Sequence, residues 1–167
     1  MAWTSPRSWV PDEVVTADVM NVHVRDNLKA IGDAWTSYTP ALAGTGWAIG
    51  NGTVAGGYIQ AGKLVVFRAS ITFGSTSTYG ASATPTISLP VTANSAFTND
   101  GFDCQLIDTG TLRYSGVAVF DGSVTVLSIF AVLASGTYAS QTGCRSTIPH
   151  TWASTDKIVV SGVYEAA

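Results

Sequence analysis

The chain has 167 residues, 46% hydrophobic and only 11% charged, with eight Lys and Arg against eleven Asp and Glu for a formal net charge of −3. Soluble domains average about 25% charged residues, so this much uncharged surface points to burial between subunits. So few basic groups argue against a nucleic-acid or other phosphate-binding surface. The length suits one core, or a small N-terminal module followed by one domain. The longest apolar run, LSIFAVLA at 127–134, falls far short of the ~20 residues of a membrane-spanning helix. MAWTSPRSWV lacks the apolar centre of a signal peptide, so neither membrane insertion nor secretion is expected.

Residues 1–13 carry Trp3, Pro6, Trp9 and Pro11 without any period. They read as an extended arm whose tryptophans need a surface to cover. Residues 14–35 differ from everything that follows. Residues 12–33 hold seven of the nineteen charged residues, whereas the 132 residues from Thr36 onward hold eleven. Thr16 is a suitable N-cap and Asp18 suits the first turn, so a helix is predicted, ending between Ile31 and Trp35 where Gly32 weakens it. Ala17, Met20, Val24, Asn27, Ile31 and Ala34 recur with spacings of 3 and 4, the heptad seam of a self-associating helix. Asn27 is the polar seam residue that fixes register and oligomer state in such assemblies. The alternative is a helix lying across its own β domain.

From Tyr38 the pattern becomes short apolar runs broken by turn residues about every ten positions, as in an antiparallel sandwich or barrel. Asn51-Gly52 and Asp121-Gly122 are two-residue hairpin signals because they tolerate positive φ. With KLVVFRASITF (63–73), TISLPV (86–91), FDCQLID (102–108) and KIVVSGVYE (157–165) they give about eight strands. The expected fold is therefore mostly β: an N-terminal arm and one amphipathic helix, then an antiparallel β-sandwich or jelly-roll-like domain over 36–167.

Catalytic material is sparse. His23 is expected on the solvated flank of the helix and His150 in a loop, and neither has a neighbouring Cys or carboxylate pattern for a metal site or a triad. GTGWAIGNG at 44–52 follows no strand and opens no helix, so it lacks the geometry of a phosphate loop. NDGFD at 99–103, with Asp108, lacks EF-hand spacing and reads as a polar turn. Cys104 and Cys144 show no CxxC and read as buried hydrophobes or, alternatively, a disulfide. No catalytic residue, cofactor or metal is assigned. Most aromatics are expected in the core, with Tyr79 and Tyr138 beside glycines as candidates for a carbohydrate- or protein-binding surface.

WTSPRSWVPDEVVTADVMNVHVRDNLKAI resembles the N-terminal segment W-T-x-P-R-T-W-x-x-x-E-x-V-T-A-x-x-x-N-x-x-V-R-D-N-L of virion proteins from actinobacterial tailed phages, usually called minor tail or tail fibre proteins. The match runs through Trp3, Pro6, Arg7, Trp9, Glu13, Val15, Thr16, Ala17, Asn21, Val24, Arg25, Asp26, Asn27 and Leu28. YTPAL, GNGTVAGGYIQAGKLVVFRASITFGSTS, ISLPV and the closing TWASTDKIVVSGVYEAA are also similar to that family's β region, while residues 94–146 fit more loosely.

The resemblance implies a non-enzymatic structural protein of the virion, assembled in the host cytoplasm. It would be a minor tail or fibre component with a host-attachment role, or alternatively a capsid decoration or head-fibre protein. Its partners would be two further copies in a homotrimer, joined through Ala17, Met20, Val24, Asn27 and Ile31. Other virion proteins would be gripped by Trp3, Pro6, Arg7 and Trp9, and a host cell-envelope glycan is a possible receptor. A carbohydrate-binding β-sandwich unrelated to phage is the remaining reading. A protein made in a reducing cytoplasm is expected to carry free thiols.

Overall fold

The structure, a computed structural model, describes residues 4–32, 34–97, 100–135 and 137–167. The helix forms as predicted at its start. Thr16 caps it, its Oγ1 accepting from Val19 N at 3.4 Å, and Asp18 sits in the first turn. Its middle differs from a regular helix: α1 (Ala17–Met20) passes into a π turn (Asn21–Arg25) before α2 (Asp26–Gly32). A π turn takes an extra residue into one turn, so side chains beyond it are displaced around the axis relative to a 3-4 pattern.

The rest is mostly β and antiparallel, as expected, in the form of one curled sheet, a half-barrel. Its strands are β1 (Thr36–Tyr38), β2 (Leu42–Ala43), β3 (Thr53–Ala61), β4 (Leu64–Thr72), β5 (Thr86–Ser88), β6 (Gly101–Asp108), β7 (Leu112–Val119), β8 (Val126–Ser135), β9 (Tyr138–Gly143) and β10 (Lys157–Glu165). The order across the sheet is β1-β3-β4-β10-β6-β7-β8-β5-β2, with β9 paired to β8 beyond β5. Sequence reading misses β1 and β2, which are very short, and β9, YASQTG, which is largely exposed and has no apolar alternation. GWAIG (46–50), expected as a strand before Asn51-Gly52, makes only an isolated bridge at Ala48.

Both hairpin signals mark turns, but not two-residue ones. At 49–52 the amide of Gly52 donates to the Ile49 carbonyl, and positive φ falls on Gly50 (+56°) instead of Asn51. An added Cβ at Gly50 would lie 2.4 Å from the Thr76 carbonyl oxygen, so only glycine fits. Asn51 instead ties the neighbouring loop, its Oδ1 accepting from the amide and hydroxyl of Thr76 at 3.0 and 3.1 Å. The β7–β8 connection runs over 120–125, with Gly122 at φ +70°.

Alternating side chains of the central strands fill the curl. Val65, Phe67, Ala69 and Ile71 of β4, Phe102, Cys104 and Leu106 of β6, and Ile158 and Val160 of β10 are all buried, as period-two burial requires. Phe67 lies opposite Gly162. The Phe102 ring occupies the space an added Gly162 Cβ would need, its Cδ1 standing 2.2 Å from that position. That vacancy lets Phe67, Phe102 and Tyr164 meet edge to face at 5.6–6.3 Å, the geometry favoured by the ring quadrupoles. A second aromatic group, Trp47, Phe73, Tyr79 and Trp152, fills one end of the curl.

Cys104 and Cys144 are both free and buried. Removal from water raises both thiols, Cys144 to about 12 and Cys104 further, where the nearby Cys144 and Asp103 add to desolvation. An unfolded thiol ionises near pH 8.5, while the folded chain keeps these neutral. Their contribution to stability is therefore intact below about pH 8.5 and is lost as pH rises towards the folded values, by about 1.4 kcal/mol per pH unit and thiol. The urea midpoint is expected to hold from pH 7 to 8 and fall between pH 9 and 10. A Cys104→Ala, Cys144→Ala variant should show a flatter profile. A wild-type midpoint unchanged up to pH 10 would contradict burial of neutral thiols.

Candidate assembly interface

The strand register gives the molecule two distinct ends. Lys157 pairs with both Thr72 and Ile107. The β4 exit, the β6–β7 hairpin tip at 109–111 and the Thr155–Asp156 turn therefore share one end. The β3–β4 turn at 62–63 lies at the other. Thr36 pairs with Tyr58, so the helix leads into β1 from the side of this second end. α2 packs on β3, and Trp35 covers the buried Gly57 with Arg68 Cζ 4.8 Å from its ring centre.

Nine of the thirteen large hydrophobic side chains exposed among the described residues fall between Trp9 and Trp35. The β domain, by contrast, encloses its own apolar cluster. On the helix Met20 is exposed, Val24 half-buried, and Leu28 and Ile31 are 65% and 57% exposed. Ala17 and Ala34 are also exposed.

Asn27 is not part of this face. It is buried, and its side chain holds the arm: Oδ1 accepts from Thr4 N at 2.9 Å, and Nδ2 donates to the carbonyls of Thr4 at 2.8 Å and His23 at 3.2 Å. Ala30, one turn on, is buried too. The displacement introduced by the π turn puts Leu28, which the seam reading passed over, on the exposed face in place of Asn27. The signal that would have found Leu28 is its own apolar i, i+3 pair with Ile31.

Of the arm residues assigned to anchoring, Trp3 lies outside the described residues. Pro6 and Trp9 are exposed, and Arg7 is half-buried. Arg7 pairs with Glu13, and its Cζ lies 5.2 Å from the Trp9 ring centre. The Arg7 contacts lie within the arm, the Asn27 bonds to Thr4 tie it to the helix, and Trp9 and Val10 stay exposed. His23 is half-buried, not solvated, and its Nδ1 is buried with no hydrogen-bond partner among the described residues.

At the other end, Tyr138 is 80% exposed at the β8–β9 tip, whereas Tyr79 is half-buried against Trp47 and Phe73. Of the two aromatics named as surface candidates, only Tyr138 is fully presented. The acidic residues named with NDGFD separate. Asp103 is exposed on β6, while Asp108 lies near His150 and Asp156, with ligand atoms of the three within 4.8 Å of one another. Nothing in the sequence joins these three, since they come from β6 and the long β9–β10 connection.

No protein-family model matches the chain, and no curated protein or solved structure shows significant similarity to it. No helix among the described residues is long and apolar enough to cross a membrane.

Proposed function

We propose that the chain is a non-enzymatic structural protein of a tailed-phage virion, a minor tail or fibre-type component that assembles as a homotrimer through its N-terminal helix. The observation that carries this reading is the concentration of exposed apolar side chains between Trp9 and Trp35, on a molecule whose β domain buries its own core. Exposed apolar surface in one contiguous segment is a mark of an interaction site. The chain's low charge and its sequence resemblance to phage tail proteins support the same reading.

The helix face of Met20, Val24, Leu28 and Ile31 serves the copies of the chain, and the clamped arm with Trp9 serves a second virion protein. The opposite end, with the 109–111 tip and Tyr138, is then directed outward, where loops tolerate variation and meet a host-envelope glycan or solvent. A map of the particle tests placement. Density for a trimer on the tail, together with adhesion of the purified protein to host cells, is the expected result. Density on the head shell with no adhesion would replace the attachment role by capsid decoration. Absence from the particle would overturn both.

A further inference from the structure

We propose that Asp108, His150 and Asp156 form a divalent-cation site of the zinc type that fastens the β6–β7 hairpin to the β9–β10 connection. Asp108 ends β6 and has the same parity as the buried Phe102, Cys104 and Leu106, so it turns into the curl, while Arg113 and Lys157 stand on the outer face with Ile107. Asp108 forms no ion pair among the described residues. Its carboxylate nevertheless shares a 4.8 Å neighbourhood with the imidazole of His150 and the carboxylate of Asp156. A cation seated among the three would meet one ligand atom from each.

The other two groups are held firmly. Asp156 is 2% exposed and accepts from Thr109 N at 3.0 Å and Ala153 N at 2.7 Å. His150 is 8% exposed, stacked on Tyr114 at 5.3 Å and packed against Trp152 at 4.4 Å. Beside them Thr155, a β-branched residue, is kept at φ +76°. His150 Nε2 lies 3.2 Å from Asp156 Oδ2. Zn–N and Zn–O bonds of about 2.0–2.2 Å put two ligands of one tetrahedral ion at about 3.3 Å, so this separation suits a shared cation as well as a hydrogen bond. Nδ1 of the same ring is buried with no partner among the described residues. As a hydrogen bond the Nε2–Oδ2 contact carries its proton on Nε2, because a carboxylate only accepts; a cation bound at Nε2 would replace that proton. One imidazole with two carboxylates selects a borderline ion such as zinc over magnesium or calcium, which favour all-oxygen sets.

The test uses tag-free, full-length protein stripped with chelator and titrated with zinc chloride by calorimetry and by thermal melting. Calcium and magnesium chloride serve as parallel probes. One zinc per chain and a higher melting temperature are expected, with weak or no response to calcium and magnesium. Asp108→Asn, which removes a half-buried group without an ion-pair partner, should fold normally and bind zinc at least about tenfold more weakly. His150→Gln should abolish binding, with Asp108→Asn deciding the matter if that variant does not fold. Cobalt(II) loading should give a spectrum without thiolate charge-transfer bands. No zinc binding, unchanged affinity in Asp108→Asn, or a thiolate band placing the metal at Cys104 and Cys144 would overturn the assignment.

Discussion

In the proposed helix-built assembly, replacing Leu28 and Ile31 together with glutamate is expected to give folded monomers. Within one chain these side chains are 65% and 57% exposed, and exposed substitutions of this kind change stability by no more than about 0.5 kcal/mol. The β domain should be unaffected, since its apolar cluster does not include either residue. In an assembly built on this helix face the effect is far larger. Each buried Leu or Ile contributes about 1.5–3 kcal/mol, and the replacement puts two carboxylates per chain into a desolvated seam. Light scattering should report an oligomer for the wild type and a single-chain mass for the variant, with matching far-ultraviolet circular dichroism. If the variant keeps the wild-type mass, the helix is not the interface. A wild-type protein that is monomeric at micromolar concentration would remove the trimer altogether. The same change at Asn27 would be less informative, because that side chain holds the arm, and its loss alters the fold of the chain itself.

The largest change in stability is expected from Phe67→Ala. Phe67 is 1% exposed and lies on β4, between β3 and β10, with its ring 5.6 Å from both Phe102 and Tyr164. Truncation removes the transfer energy of the ring and leaves a cavity that a sheet paired on both sides cannot close, which costs about 3–5 kcal/mol. In a domain of this size that corresponds to a fall in melting temperature on the order of 10 °C. Val163→Ala, on the same sheet but 54% exposed, should stay within about 0.5 kcal/mol. Urea unfolding of the two variants side by side is the measurement. Equal effects would mean that the faces of the sheet are not divided as described.

Local patterns decided what could be read in advance. The Thr16 cap, the helix, and the strands β3, β4, β6, β7 and β10 follow from spacing and turn residues, because capping and period-two alternation depend on near neighbours along the chain. β9 escaped for the same reason: an exposed polar strand that owes its pairing to β8 carries no apolar period. The two turn dipeptides located bends correctly but not their geometry. Contacts from the 74–78 loop set the conformation at 49–52, and such long-range partners leave no trace in a dipeptide.

The candidate interface divides in the same way. An arm at 1–13 with tryptophans to cover and a helix at 14–35 with an apolar seam were legible in composition and periodicity alone. Which side chains form the exposed face was not, because one π turn displaces the face from Asn27 to Leu28 and a hydrogen-bonded arm takes Asn27 for itself. The meeting of Asp108 with His150 and Asp156 was beyond sequence reading entirely. More than forty residues separate Asp108 from His150, and only the pairing of β6 with β10 brings their segments together. Sequence by itself determined the class of fold and the location of the sticky segment, since both rest on local chemistry. Tertiary structure decided the membership of each site, since a site is a set of side chains from distant segments whose positions depend on how the sheet curls.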